Sequence, residues 1–203
     1  MHYQARDFTL YVKQYLASFF KNKVVLDVGS GDINGNNRFL FEDCAYEGND
    51  VFQAKNVTIV SKTSALPFAD ASFDTIISTE CFEHDPEWEQ SFQKIVTMLK
   101  PGGLFLFTCG STGRGEHGTR RTTPENSFGA IGNVPVWSDH YRNITFQDLD
   151  AAVHVAATFS SYGSYYNDEA KDLYFWGIKA GENVTSVQIP DFVYRAVSLI
   201  QKS

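Results

Sequence analysis

A chain of 203 residues, 43% hydrophobic and 20% charged, has the length and composition of one soluble globular domain with a proper core. Its formal charge of −7, from 17 Lys and Arg against 24 Asp and Glu, argues against a general nucleic-acid binder and against attraction to anionic membranes. The start, Met1 to Phe8, lacks the basic and apolar segments of a signal peptide, and no apolar run approaches a membrane span.

Residues 1–22 are expected to form an N-terminal helical segment, with a helix over 7–21 that stacks Phe8, Val12, Tyr15 and Phe19 on one stripe. Val24 to Val28 is a buried strand entering a glycine turn, followed by strands over 45–49 and 57–60. Only six residues lie between Asp50 and Val57, too few for a helical crossover. A fourth strand over 75–79 leads to Asp85-Pro86-Glu87-Trp88, where Asp caps a helix and Pro opens it. That helix carries Trp88, Phe92, Ile95, Val96 and Leu99 on one face and stops at Lys100-Pro101-Gly102-Gly103. Leu104 to Phe107 is continuously apolar, as a central parallel strand should be.

The stretch after Cys109 is punctuated by glycines and has no clean period, and a loop of that length is usually functional or disordered. Thr145 to Asp148 looks like a helix start; strands follow over 158–166 and 173–179, and a short helix over 192–200 closes the chain. Strands alternating with helices, then a closing hairpin, specify an α/β fold with a largely parallel sheet. Cys44, Cys81 and Cys109 are an odd number without metal-ligand spacing, and are expected to be free thiols in a reducing, cytoplasmic compartment.

Asp27-Val28-Gly29-Ser30-Gly31-Asp32 ends the first strand, where glycine lets a ligand approach the backbone. Asp50 stands 19 residues after Gly31 at the end of the second strand, near the offset at which an acid meets ribose hydroxyls in nucleotide-binding α/β folds. A dinucleotide fingerprint needs a third glycine where this chain has Asn34, so a nicotinamide-dependent oxidoreductase is the weaker reading.

With these motifs the chain resembles the class I S-adenosylmethionine-dependent methyltransferases, over roughly residues 23–180. The resemblance rests on the order and spacing of Val25 to Gly31, Gly48 to Val51, Ala65-Leu66-Pro67-Phe68, Ser72-Phe73-Asp74, Ile77 to Glu80, Glu83-His84 and Leu99 to Gly103. It looks most like a small subgroup with Asn34-Gly35, His117-Gly118-Thr119 and Tyr141-Arg142-Asn143-Ile144-Thr145. The resemblance implies a Rossmann-like three-layer sandwich: a seven-stranded, mostly parallel sheet with one antiparallel strand. Residues 1–203 would form one domain with 109–142 as a substrate loop or lid. S-adenosylmethionine is the implied cofactor. Asp27 and the backbone of Gly29 and Gly31 would hold its methionine part, Asp50 its ribose, and Val51 its adenine. Ser64 would edge the adenine, and Thr79 and Glu80 would face the transferred methyl. The family commonly has an acid before the Ala-x-x-Leu-Pro-Phe loop to accept from the adenine amino group. The matching residue is Lys62, which only donates, so a backbone carbonyl or Ser64 would take over.

Methyl transfer aligns nucleophile, carbon and sulfur in a dry cleft, and an oxygen or nitrogen nucleophile often needs a base. His84 and His117 are the candidates, with His140 a weaker one beside Asp139; no ligand spacing points to a metal. Within the lid, Arg114, Arg120, Arg121 and Arg142 suit an anionic group on a small-molecule or glycan-precursor acceptor, held by Arg120 or Arg121 near His117; their bland alternative is pairing with Glu116, Glu125 and Asp139. A non-catalytic cofactor-binding module is the other alternative, and turnover to S-adenosylhomocysteine separates it from an enzyme.

Overall fold

The structure is a computed structural model and describes residues 2–203. The first helix, α1 (Tyr3–Tyr15), starts and ends earlier than its sequence pattern suggests, and Ala17–Phe20 tightens into a separate 3₁₀ turn. Its buried stripe is Phe8, Val12 and Leu16, while Tyr15 is exposed. Strand β1 (Val24–Val28) coincides with the expected span. Instead of a helix, the connection to β2 (Ala45–Asp50) contains only the 3₁₀ turn Arg38–Leu40, and a short loop leads on to β3 (Ile59–Val60). The β1–β2–β3 end of the sheet is therefore thinly covered.

Strand β4 (Phe73–Thr79) precedes helix α2 (Trp88–Met98). Asp85 organises that helix start: its carboxylate accepts the Glu87 amide at 2.8 Å and the Ser91 hydroxyl at 2.5 Å. Leu99 leaves the helix and opens β5 (Leu99–Gly110), which bulges where Phe73 pairs with Leu99 before running as the continuous apolar strand the sequence indicates. The glycine-rich stretch holds α3 (Phe128–Ile131) between short turns. Helix α4 (Phe146–Val153) begins at a complete capping box, the Thr145 and Asp148 side chains each bonding the other's backbone. After α5 (Val155–Thr158) come β6 (Phe159–Asn167), β7 (Asp172–Lys179) and β8 (Val197–Lys202).

The eight strands form one sheet in the order β3-β2-β1-β4-β5-β7-β6-β8. Strands β1 to β5 pair in parallel, β7 runs antiparallel to both β5 and β6, and β8 antiparallel to β6. The expectation of seven strands with one antiparallel is corrected by β8, which also replaces the closing helix expected over 192–200. That segment lacks a helical stripe that could be buried: Phe192 packs inside, but Leu199 and Ile200 remain 48% and 37% exposed. Pairing with β6 instead satisfies a row of backbone groups that would otherwise stand at an open edge.

Alternation along the strands feeds two cores. Leu26, Val28, Ile76, Phe105, Phe107 and Phe175 meet α2 and α4 on one face. Val25, Ile77, Leu104, Leu106, Tyr174 and Trp176 meet α1, Phe20 and Phe192 on the other. The three-layer arrangement thus follows, with the second face covered by the two chain ends. Among the described residues no helix is long and apolar enough to cross a membrane.

Candidate active site

The carboxyl ends of β1, β2 and β4 open into one cavity of about 220 Å³. Ligands gather at this place in open parallel sheets because neighbouring connections diverge there. Asp27, Gly29, Gly31, Asp50, Val51, Thr79, Glu80, His84 and His117 all line it; Ser64 is not among its walls.

The glycine turn after β1 is packed too closely for side chains. A Cβ on Gly29, whose φ is +70°, would lie 2.4 Å from the Cys81 sulfur, and one on Gly31 would lie 2.2 Å from the Phe128 ring. The Gly31 amide donates to Asp50 Oδ2 at 3.1 Å and the Val51 amide to Oδ1 at 2.7 Å. Burial raises the Asp50 carboxyl from 3.8 to about 6 against the pull of these amides. Asp27 is fully buried and its burial likewise raises it to about 6. Both its oxygens are taken, by Tyr46 and by the Asn37 amide at 2.9 Å; Asn37 also donates to the Thr79 hydroxyl at 3.2 Å. Asn37 therefore joins the ends of β1 and β4, a link the sequence reading missed.

A family model described as a methyltransferase domain matches residues 26–107. Phosphoethanolamine N-methyltransferase 2 of Caenorhabditis elegans is 28% identical over 134 residues, covering 58% of this chain and 30% of that protein. Malonyl-[acyl-carrier protein] O-methyltransferase 1 of Coxiella burnetii is 42% identical over 55 residues, 27% of this chain and 20% of the relative. The matched region thus spans less than a third of either curated relative. Among solved structures, the 1,6-didemethyltoxoflavin-N1-methyltransferase of Burkholderia thailandensis, bound to its substrate and S-adenosylhomocysteine, superimposes with a TM-score of 0.59 at 18% identity, covering 87% of this chain and 78% of that one. The phosphoethanolamine N-methyltransferase 2 of Haemonchus contortus superimposes with a TM-score of 0.58 at 16% identity, covering 87% of this chain and 53% of that one. Residues 26–107 thus carry the pattern of a methyltransferase domain, and the fold is one shared with S-adenosylmethionine-dependent methyltransferases.

Two features mark the side of the cleft next to Trp137. Lys62 is directed away into an ion pair with Glu87 at 2.6 Å and lies 4.9 Å from the Trp137 ring centre. The Ser64 hydroxyl donates to the other Glu87 oxygen. Neither side chain supplies an acceptor to the cavity, while Phe128, Gly129 and Trp137 wall it on this side.

At the opposite side of the cleft lies a cluster of charged groups. Glu80, in the left-handed region at φ +55°, ends β4, and Asp172 begins β7. Strand β5 lies between them, and its register places Gly110 beside Asp172. His2 reaches in from the start of α1, with Nε2 2.8 Å from Asp172 and 3.3 Å from Glu80, and Nδ1 2.9 Å from Gln4 Oε1. Nε2 thus faces two carboxylate oxygens, while Nδ1 lies between the Gln4 oxygen and the Ala5 amide, which approaches it at 3.4 Å as the helix cap. Burial opposes a positive charge on the ring, but the two carboxylates outweigh it and push His2 to about 10. Arg114 adds a second cation, 3.4 Å from Asp172.

His84 and His117 are brought together edge to face, ring centres 5.0 Å apart, with the Tyr141 ring 5.6 and 4.9 Å from them. Burial lowers the affinity of both imidazoles for a second proton, and His84 falls to about 3. Glu83, fully buried beside them, has no hydrogen-bond partner on either carboxylate oxygen, and burial raises its carboxyl well above the ordinary range. His140 does not line the cavity. Nor do Arg120 and Arg121: Arg120 pairs with Asp139, and Arg121 with Glu116 and Asp139. Arg142 pairs with Asp148 at 2.7 Å and lies over Trp88. Arg114 is thus the arginine of the 109–142 segment that lines the cleft. His2, Asn37, Phe128, Trp137 and Asp172 carry no local sequence signal, because turns, sheet register and packing of the 109–142 segment bring them in from distant parts of the chain; Glu83 is visible in the sequence only as part of the Glu83-His84 motif.

Proposed function

We propose that this chain transfers the methyl group of S-adenosylmethionine to a small-molecule acceptor enclosed by the 109–142 segment. One observation carries the reading: a single cavity gathers the glycine turn, Asp50 and the end of β4 beside the lid residues His117, Phe128 and Trp137. Asp50 accepts the ribose hydroxyls and Val51 packs on adenine. The amides of the Gly29–Gly31 turn face the methionine end. Asp27, with both oxygens taken, works through Asn37, holding it and Thr79 at the cleft wall.

Glu80 supports the methyl-bearing end. Its carboxylate is already paired with the His2 imidazolium, so it shapes and polarises the wall that faces the sulfonium without adding a free charge. His84 or His117, each neutral in its surroundings, takes the proton that an oxygen or nitrogen acceptor loses. Alignment of nucleophile, methyl carbon and sulfur supplies most of the acceleration, and the lid provides the closed volume for it. Arg120 and Arg121 form the outer seam of that lid, and Arg114 is the guanidinium able to meet an anionic group on the acceptor.

The test is a pair of measurements on the purified protein. S-adenosylhomocysteine at a hundred times its Kd should stabilise the fold by about 2.7 kcal/mol. Asp50→Ala should weaken binding by about 2–3 kcal/mol, as charge-assisted hydrogen bonds are lost. Stabilisation by NAD but not by S-adenosylhomocysteine would overturn the reading. Production of S-adenosylhomocysteine with a panel of small hydroxyl and amine acceptors separates an enzyme from a cofactor-binding module.

A further inference from the structure

Two clusters of three groups, with ligand-type atoms within 4.8 Å of one another, border the cavity: His2, Glu80 and Asp172, and Glu83, His84 and His117, of which Asp172 and Glu83 stand behind its lining. They differ in charge balance. In the first, the His2 imidazolium sits against both carboxylates and Arg114 adds a second cation, so the acids are already neutralised. In the second, no cation among the described residues pairs with Glu83. Its carboxylate is 0% exposed with both oxygens unpartnered, and the amides of Gly110 and of Glu83 itself are nearby dipoles outside bonding geometry. An isolated buried carboxylate is costly unless a proton or a cation occupies it.

We propose that Glu83, His84 and His117 bind one divalent transition-metal ion of the zinc, manganese, iron or cobalt class. One carboxylate and two imidazoles are the donor set such ions take while leaving positions open. The rings are prepared for it. His117 Nδ1 donates to the Gly115 carbonyl at 3.0 Å, which fixes its tautomer and leaves the Nε2 lone pair free, as an outer-shell carbonyl does for ligating histidines. His84 Nδ1 is buried without a partner. Gly118 makes room for that ring: a Cβ there would lie 2.6 Å from His84 Cε1. At metal–nitrogen distances of about 2.0–2.1 Å the ligand atoms must come to about 3.3 Å from one another. His117, half-exposed between Gly115 and Gly118, is the member able to swing in and close the set. Because His84 and His117 line the cleft, open positions on the ion would face a bound acceptor. A carboxylate oxygen coordinated there would be held, and a hydroxyl would be held and lose its proton more easily, to solvent, since with the ion bound the His84 and His117 lone pairs no longer serve as bases. That last role rests on the methyl-transfer reading; the metal site does not.

The experiment therefore uses neither cofactor nor acceptor. Chelator-treated protein is titrated calorimetrically with Zn²⁺, Mn²⁺ and Co²⁺ alone, and the visible absorption of the Co²⁺ form is recorded. One ion per chain is expected, with Co²⁺ bands characteristic of nitrogen and oxygen ligands. Glu83→Gln and His117→Ala should each weaken binding at least tenfold with circular dichroism unchanged, while His2→Ala leaves it within a factor of about two. The half-exposed position of His117 keeps the test valid if Glu83→Gln fails to fold. Absence of stoichiometric binding, or equal affinity in His117→Ala, overturns the proposal. Loss of binding in His2→Ala alone overturns it too, by moving the ion to the neighbouring cluster.

Discussion

Asp50 ties the end of β2 to the turn after β1: one carboxylate oxygen takes the Gly31 amide at 3.1 Å, the other the Val51 amide at 2.7 Å. The same carboxylate is assigned to the ribose, so it must remain charged where solvent is scarce. The amides favour the charged form, but burial wins and raises the group from 3.8 to about 6.

That balance gives a pH prediction with a definite sign. Between about pH 4 and 6 the folded protein keeps a proton on Asp50 that the unfolded chain has released. Stability of the ligand-free protein therefore falls as pH rises through this window, on the order of 2–3 kcal/mol for the group. Asp27, also raised to about 6 by burial and then by the charge of Asp50, adds a fall of the same sign. Urea unfolding at pH 5 and pH 7 should show the wild type losing stability on going to pH 7. Asp50→Asn should show a smaller loss that does not vanish, since Asp27 and the buried Asp172, also raised to about 6 by burial, still titrate. Equal losses would mean that Asp50 does not change charge there.

A second prediction concerns Gly31. A Cβ at this position would meet Phe128 ring carbons at 2.2 and 2.3 Å and Asp50 Oδ2 at 2.9 Å. Gly31→Ala should leave a folded protein, because the turn lies at the open end of the sheet, yet weaken S-adenosylhomocysteine binding at least tenfold. Combining it with Phe128→Ala should recover part of the loss, a coupling expected only where two groups touch. Additive losses in the double variant would show that the ring is not the obstacle.

How much of this is legible in the sequence depends on whether the signal is local. Val24 to Val28 is a short apolar run bounded by a glycine turn, so its span can be read residue for residue. The Thr145–Asp148 capping box is likewise a four-residue signal. The segment 192–200 reads as helical because its decisive partner, the free edge of β6, is a tertiary feature. The same distinction divides the site. Gly29, Gly31, Asp50 and Glu80 announce themselves by position after strands. His2 and Asp172 meet Glu80 only because β7 runs antiparallel beside β5, and that pairing has no local code.

The Lys62 position shows a local mismatch that tertiary structure resolves. An acid there would be expected to serve adenine, but Lys62 is engaged by Glu87, which also holds Ser64. Lys62→Asp should therefore not tighten cofactor binding. It would set a carboxylate against Glu87 and remove the charge over Trp137, lowering stability by about 1 kcal/mol, in the range of partly exposed ion pairs. Thermal unfolding of Lys62→Asp and of Lys62→Asp/Glu87→Gln tests this, since the second change should restore most of the loss. Tighter S-adenosylhomocysteine binding in the single variant would show that the introduced carboxylate reaches the adenine after all.

The lid arginines give the last prediction. Arg120 and Arg121 fasten the segment after His117 to Asp139 and Glu116, and both are more than half exposed. Exposed pairs contribute little to global stability, yet here they join two parts of one loop whose other restraints are few. Arg120→Ala/Arg121→Ala should leave the melting temperature nearly unchanged and speed amide hydrogen exchange over residues 116–123. S-adenosylhomocysteine affinity should stay within about twofold, because neither side chain lines the cleft. Arg114 behaves differently: its guanidinium meets Asp172 at 3.4 Å and donates to the Ala170 carbonyl at 2.5 Å, inside the charged cluster. Arg114→Ala leaves buried Asp172 with His2 as its remaining cation and should lower the melting temperature measurably. If the double variant instead loses cofactor affinity while exchange over 116–123 is unchanged, the two outer arginines act on the cleft directly and the lid is built differently from this account.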